Sequence, residues 1–287
     1  MVDRAQWQVG GSAPEVYERD LVPAVFGPWA RLVVDFADLQ PGDRVLDVAC
    51  GTGVVTRVAA EKVGERGAVV AADLNPGMLA LAGSLPAPRG ATVEWRQADA
   101  GALPFADQAF DVVLCQLGLQ FFADRGIALR EMYRVLRPGG DVVVMVWRPI
   151  ERSPGFAALA AALEGHIGPD AAWIMRAPFS LGDAEELSSL VAAAGFEGLD
   201  LRASTGAVRF ASVERFVASY VAGSPLAEPV AAAPPEARDA LLAEVLAKLE
   251  EFVGRDELKF PIEAHLARAR RPARRGSSGR TSITKGL

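Results

Sequence analysis

The segment Val45-Leu46-Asp47-Val48-Ala49-Cys50-Gly51-Thr52-Gly53 constrains this 287-residue chain more than any other. An apolar run carrying one acid passes into two glycines and then into the helical pattern of residues 53–63. Glycine tolerates the backbone of a tight strand-to-helix turn and lets a ligand meet the main chain with no Cβ in the way. The helix that follows presents free N–H groups. The segment therefore reads as the first βα unit of an open α/β sheet, with a ligand at the carboxyl end of the strand. A dinucleotide site would carry a third glycine where helix and strand pack closely, but that position is Thr56.

Strand and helix patterns alternate onward from this unit, which predicts βαβ units and a mostly parallel sheet. Strands are expected at 44–49, 67–73, 92–97, 110–116 and 140–147, and helices at 53–63, 76–84 and 124–136. Upstream, residues 14–38 read as two short helices interrupted by Pro23 and Pro28, placed to act as a lid. Beyond Trp147 the pattern predicts helices at 154–166 and 183–194, a sixth strand near 197–203, helices at 212–222 and 235–252, and a last strand near 258–268. The expected division is a lid over 1–43, a main domain over 44–268 with a helical cover at about 205–257, and a basic disordered tail over 269–287. The tail holds almost no large apolar residues to offset its ordering entropy.

Two further acids follow apolar strands. Asp73 ends the second strand 20 residues after Gly53, where a carboxylate can accept bonds from both hydroxyls of an unphosphorylated ribose. Asp99 ends the third, where it could accept the amino proton of adenine while the Ala100 backbone meets a ring nitrogen. Composition narrows the partners. Residues 268–287 hold seven Lys or Arg and no acid, and removing those charges from the net −6 leaves −13 on residues 1–267. Such a body repels phosphate backbones, so no nucleic-acid partner is expected. The two cysteines, Cys50 and Cys115, show neither zinc-ligand nor disulfide spacing, so no metal is expected. No secretory leader or membrane span is read, and the cytoplasm is the expected location.

With these motifs in view, VLDVACGTG, AADLNPGML, QADAGALPFADQAFDVVLCQLGLQFF and EMYRVLRPGGDVVVMVW, the chain resembles class I S-adenosylmethionine-dependent methyltransferases, particularly the ubiquinone/menaquinone biosynthesis branch. The resemblance covers residues 14–147 well and runs more loosely to 268. It implies a Rossmann-like, doubly wound, seven-stranded α/β sheet, mostly parallel with an antiparallel last strand. It also implies S-adenosyl-L-methionine as cofactor: Asp47, Ala49, Gly51 and Gly53, with Cys50 and Thr52 between them, would surround the methionine part. Asp73 and Leu74 would hold the ribose, Met78 a face of the adenine, Asp99 and Ala100 its edge, and Gln116 would close the methionine end.

In a doubly wound sheet the loop after the fourth strand borders the switch-point crevice, so Gln120 and Phe121 are expected in the acceptor pocket, opposite Tyr17 and Trp29 of the lid. An apolar wall with one polar guide suits a small, largely apolar acceptor: quinone-like, phenolic, polyketide or lipid-like. His166 and His265 fall in no motif, and both cysteines read as small buried hydrophobes, so no catalytic base is assigned. A homodimer is compatible with the sequence. Two rival readings are an NAD-binding oxidoreductase and a non-catalytic S-adenosylmethionine-binding module.

Overall fold

The computed structural model describes residues 10–273. Seven strands form one sheet: β1 (Arg44–Val48), β2 (Ala68–Asp73), β3 (Thr92–Gln97), β4 (Phe110–Gln116), β5 (Leu136–Trp147), β6 (Glu197–Phe210) and β7 (Leu258–Arg270), in the order β3-β2-β1-β4-β5-β7-β6. Strands β1 to β5 are parallel, and β7 runs antiparallel to both of its neighbours, β5 and β6. The central strands are apolar on both faces because helices cover both. Val45, Leu114, Val143 and Met145 pack on one side with α2 (Gly27–Ala37), α3 (Val54–Val63) and α6 (Pro154–His166). Leu46, Val113, Val144 and Val146 pack on the other with α5 (Arg125–Val135) and α8 (Ala184–Ala193). Strand order reverses between β1 and β4, so their carboxyl ends border the crevice where such sheets bind ligands.

The N-terminal helices differ from expectation. A short α1 (Ala13–Val16), a π-helical stretch (Tyr17–Phe26) and α2 follow one another without a break. Pro23 has no N–H and its ring would crowd the carbonyl four residues back, so an ordinary α-turn is disfavoured there. The wider turn, in which the Gly27 N–H bonds the Val22 carbonyl, accommodates it. Pro28 lies in the first turn of α2, where a missing N–H costs nothing.

The sixth strand also runs further than its pattern suggested. It pairs with β7 from Asp200 opposite Arg268 to Phe210 opposite Leu258. Residues 205–210 therefore belong to the sheet, and helices begin only with α9 (Val213–Ala222), followed by α10 (Ala227–Ala232) and α11 (Pro235–Lys248). Gly206 masks this strand in the sequence. It is required because a Cβ there would lie 2.5 Å from the Trp29 ring.

The expected tail starts too early as well. Ala269 and Arg270 complete β7, and Arg268 and Arg270 both bond the Asp141 carboxylate, at 2.7 and 2.8 Å. Burial alone would raise the Asp141 pKa, but the two guanidinium groups outweigh it and hold the carboxyl below its ordinary range. Arg271 donates to the carbonyls of Tyr133, Arg134 and Leu136 at the end of α5. The rest of the expected tail, 274–287, lies outside the described residues. Among those described, no helix is long and apolar enough to cross a membrane.

Candidate active site

The turn after β1 is built from three residues in the left-handed backbone region: Ala49 (φ 58°), Gly51 (φ 55°) and Gly53 (φ 86°). The two glycines serve different ends. At Gly51 an added Cβ would meet, among the described residues beyond its chain neighbours, only the Tyr17 hydroxyl within 4 Å, at 3.9 Å, so this glycine opens its main chain to the crevice. At Gly53 a Cβ would fall 2.4 Å from the Trp95 ring, so this glycine makes room for packing and caps α3. Leu117, at the end of β4, is a second non-glycine residue with positive φ (59°). Two such residues on the adjoining ends of β1 and β4 place backbone strain at the mouth of the crevice, each costing on the order of 1 kcal/mol.

Asp73 ties the crevice together. One carboxylate oxygen accepts the Gly51 N–H and the other the Asn75 N–H, both at 2.8 Å. Burial pushes its pKa up, opposed by backbone N–H bonds from Asn75, Gly51 and Leu74. Asn75 in turn caps α4 (Pro76–Ser84), accepting from Gly77 and Met78. Asp99 stands exposed at the rim and accepts the Gly101 N–H at 2.7 Å. Behind the turn lies Asp47, fully buried, with one oxygen taking the Thr56 hydroxyl at 2.6 Å. Burial drives its pKa up to about 7 against that bond.

These strand ends enclose a cavity of about 370 Å³. Ala49, Gly51, Asp73, Leu74, Met78, Asp99, Ala100 and Gln116 line it, joined by Tyr17 and by Gln120 and Phe121 of the 3-10 turn Leu119–Phe121. Gln116 donates to the Phe26 carbonyl at 3.2 Å, while its amide oxygen is buried with no partner among the described residues. Tyr17 stacks on Phe26, and burial together with Asp73 raises its hydroxyl pKa. Tyr220, from α9, lines the same cavity, its hydroxyl pKa also raised by burial.

The model of the ubiE/COQ5 methyltransferase family matches residues 24–161. The ubiquinone/menaquinone biosynthesis C-methyltransferase UbiE of Xanthomonas campestris pv. campestris is 47% identical over 119 residues, 41% of this chain and 47% of that protein. That match spans about half of the relative's length. The UbiE protein of Xylella fastidiosa is 36% identical over 193 residues, 63% of this chain and 76% of that protein. The chain belongs to the ubiE/COQ5 methyltransferase family. The fold of this family member is also that of the Bacillus subtilis YcgJ protein, with a TM-score of 0.54 at 19% identity over 85% of this chain and 97% of that one.

Not every expected site residue of this ubiE/COQ5 chain reaches the cavity. Trp29 does not: it is buried edge-on against Trp147, at 5.4 Å between ring centroids, and against Gly206. Its place on the α2 face that packs on the sheet decides this. Asp47 and Thr52 are buried behind the turn, and Cys50 directs its thiol at the Gly51 carbonyl. Gly53 faces Trp95, so these four support the turn from behind and do not line its open side. The sequence reading missed Asn75, Leu117, Trp147 and Tyr220, all of which line the cavity. Asn75 was findable as the cap preceding Pro76. Tyr220 comes from an element whose distance in sequence hides it.

Proposed function

We propose that this family member binds S-adenosylmethionine in the crevice and transfers its methyl group to a small, largely apolar acceptor. The observation that carries the reading is the Asp73 carboxylate at the end of β2, fixed between the Gly51 and Asn75 N–H groups. Asp73 would hold the ribose hydroxyls, Leu74 and Met78 would flank the adenine, and Asp99 with the Ala100 N–H would meet its edge. Ala49, Gly51 and Gln116 would take the methionine end. The residues suit such a ligand: Gly51 leaves its main chain open, and the buried Gln116 oxygen, unpartnered among the described residues, can accept from an ammonium group. When bound, the cofactor supplies an electrophilic methyl group on a sulfonium.

The chain's own contribution is to position and to exclude water. Tyr17, Phe26, Trp147 and Tyr220 wall the crevice, and their faces favour a neighbouring cation. Neither histidine lines the cavity: His166 pairs with Glu244 and His265 with the Gly182 carbonyl. The reading therefore assigns no general base, and relies on holding an already nucleophilic acceptor atom in line with the methyl group. The oxidoreductase alternative fits less well. Where a dinucleotide fold needs a glycine, Thr56 is buried and its hydroxyl is tied to Asp47. Both cysteines are free and buried, in keeping with a reducing compartment, and we place the enzyme in the cytoplasm.

Transfer of label from methyl-tritiated S-adenosylmethionine to a panel of neutral quinols and phenols, followed by extraction into organic solvent, tests the reading. Extractable label with one or more of them is expected. Cofactor binding without transfer to any acceptor would leave the non-catalytic module as the better account.

A further inference from the structure

Two elements that lie far apart in the sequence pack together beside the crevice: the π-helical stretch Tyr17–Phe26 and α9. Each brings one tyrosine to the cavity, Tyr17 from the first and Tyr220 from the second. Tyr17 reaches over the glycine turn, its hydroxyl 3.9 Å from where a Gly51 side chain would start, and its ring stacks on Phe26 at 4.8 Å between centroids. Burial, then Asp73, Glu18 and Tyr220, raise the Tyr17 pKa, so the phenol stays uncharged and Tyr220 stands close by.

Of the two elements α9 is the one fixed to the core. Its Phe216 and Tyr220 rings pack on Phe156, at 5.5 and 5.1 Å between centroids, and Phe216 packs on Phe260 of β7 at 5.2 Å. The N-terminal stretch is held to α9 at two points. Leu21, fully buried, sits against Gly223 just after the helix, where a Cβ would fall 2.9 Å from the Leu21 Cδ1. Asp20 is the polar point: one carboxylate oxygen accepts from Arg215 at 2.7 Å and the other from the Ser219 hydroxyl at 3.2 Å. Arg19 bonds the same carboxylate but belongs to the same stretch, so it orients the group without joining the two elements. The Asp20 side chain is 8% exposed, and a buried carboxylate is costly unless it is paired and hydrogen-bonded. The placement that keeps these bonds is therefore favoured, and Tyr17, three residues before Asp20, is placed with it.

We propose that Asp20 is a positioning residue: by clasping the N-terminal stretch to α9 it sets the Tyr17 and Tyr220 rings beside the sulfonium, so that the site discriminates the charged cofactor from its neutral product. The inference rests on the methyltransferase reading above. A ring face attracts a cation, more strongly where water is excluded, and loses that attraction when the ring tilts or recedes. The thioether sulfur of S-adenosylhomocysteine carries no charge for the rings to act on. The same geometry that holds the reactant thus releases its grip once the methyl group has left.

Calorimetric titrations of S-adenosylmethionine and S-adenosylhomocysteine, which differ only in the methyl group and its charge, read the discrimination as a ratio of affinities. Tyr220→Leu should weaken S-adenosylmethionine at least about fivefold more than S-adenosylhomocysteine. Asp20→Ala should move the ratio the same way by at least about threefold, although Asp20 does not line the cavity. Tyr220→Phe keeps the ring face and should keep the wild-type ratio. A purely structural role for Asp20 would lower the melting temperature and weaken both ligands by one common factor. Where Asp20→Ala does not fold, the double variant Arg215→Ala with Ser219→Ala removes the tie from the α9 side and is read in its place. Equal losses of the two ligands in Tyr220→Leu, a wild-type ratio in the folded protein that lacks the tie, or a ratio lost in Tyr220→Phe would overturn the inference and leave the methyltransferase reading standing. Failure of the wild type to bind either ligand would overturn both.

Discussion

Asp47→Asn should be the less stable protein near pH 4, by about 1–3 kcal/mol, and should overtake the wild type by pH 8. The carboxyl is buried behind the glycine turn, with the Thr56 hydroxyl as its hydrogen-bond donor at 2.6 Å. Burial is the larger effect and lifts its pKa from 3.8 to about 7. A folded-state pKa above the unfolded one means that this group costs nothing below about pH 3.8. The cost grows as pH rises through the interval and levels off above 7. At about 1.4 kcal/mol per pH unit, the full interval is worth at most about 4 kcal/mol. Asparagine keeps an oxygen for Thr56 but adds two N–H donors in a buried position, and any left without an acceptor takes back about 1–3 kcal/mol at every pH. Melting curves of both proteins from pH 4 to 8 should show a difference that grows in the variant's favour up to pH 7 and is flat beyond it. With about 2–4 °C per kcal/mol in a chain of this size class, the change across the series is on the order of 10 °C. A difference independent of pH, or one moving against the variant as pH rises, would refute the reasoning.

Other substitutions separate binding from support. Asp73→Ala leaves the Gly51 and Asn75 N–H groups without their acceptor, and calorimetry with S-adenosylhomocysteine should show at least about a tenfold loss of affinity. Gly53→Ala forces a side chain into positive φ and against Trp95, and should cost about 1–3 kcal/mol in urea unfolding. Trp29→Phe should lower the melting temperature yet leave S-adenosylhomocysteine affinity near that of the wild type, because Trp29 packs on Trp147 and Gly206 outside the cavity. Arg271→Ala removes three bonds to the carbonyls at the end of α5 and should cost about 1–3 kcal/mol in the same unfolding assay.

The parts of the site that the sequence exposed are those set by local chemistry. An apolar strand, an acid and two glycines place Asp73 and Gly51 at one crevice because strand ends and tight turns follow from neighbouring residues. The strand and helix bounds around them agree with the structure to within a residue or two from Arg44 to Gln116. The parts it hid depend on distant partners. Trp29 sits on an amphipathic helix and could as well face a ligand as a sheet. Its fate is decided by Gly206 and Trp147, more than a hundred residues away. For the same reason Arg270 looked like the start of a solvated tail until Asp141, on the neighbouring strand, gave it a partner. Thr56 marks the boundary between the two cases: its departure from glycine was visible, but the buried bond to Asp47 that explains it was not.

The central claim is that the crevice around Asp73 and Gly51 is a site for S-adenosylmethionine. Calorimetric titration of the full-length protein with S-adenosylmethionine, S-adenosylhomocysteine and NAD, each in parallel with the Asp73→Ala variant, tests it directly. The account predicts one saturable site for both sulfur compounds in the wild type, weakened at least about tenfold in the variant, and no binding of NAD. Binding of NAD in place of the sulfur compounds, or S-adenosylmethionine affinity unchanged in a folded Asp73→Ala protein, would contradict it.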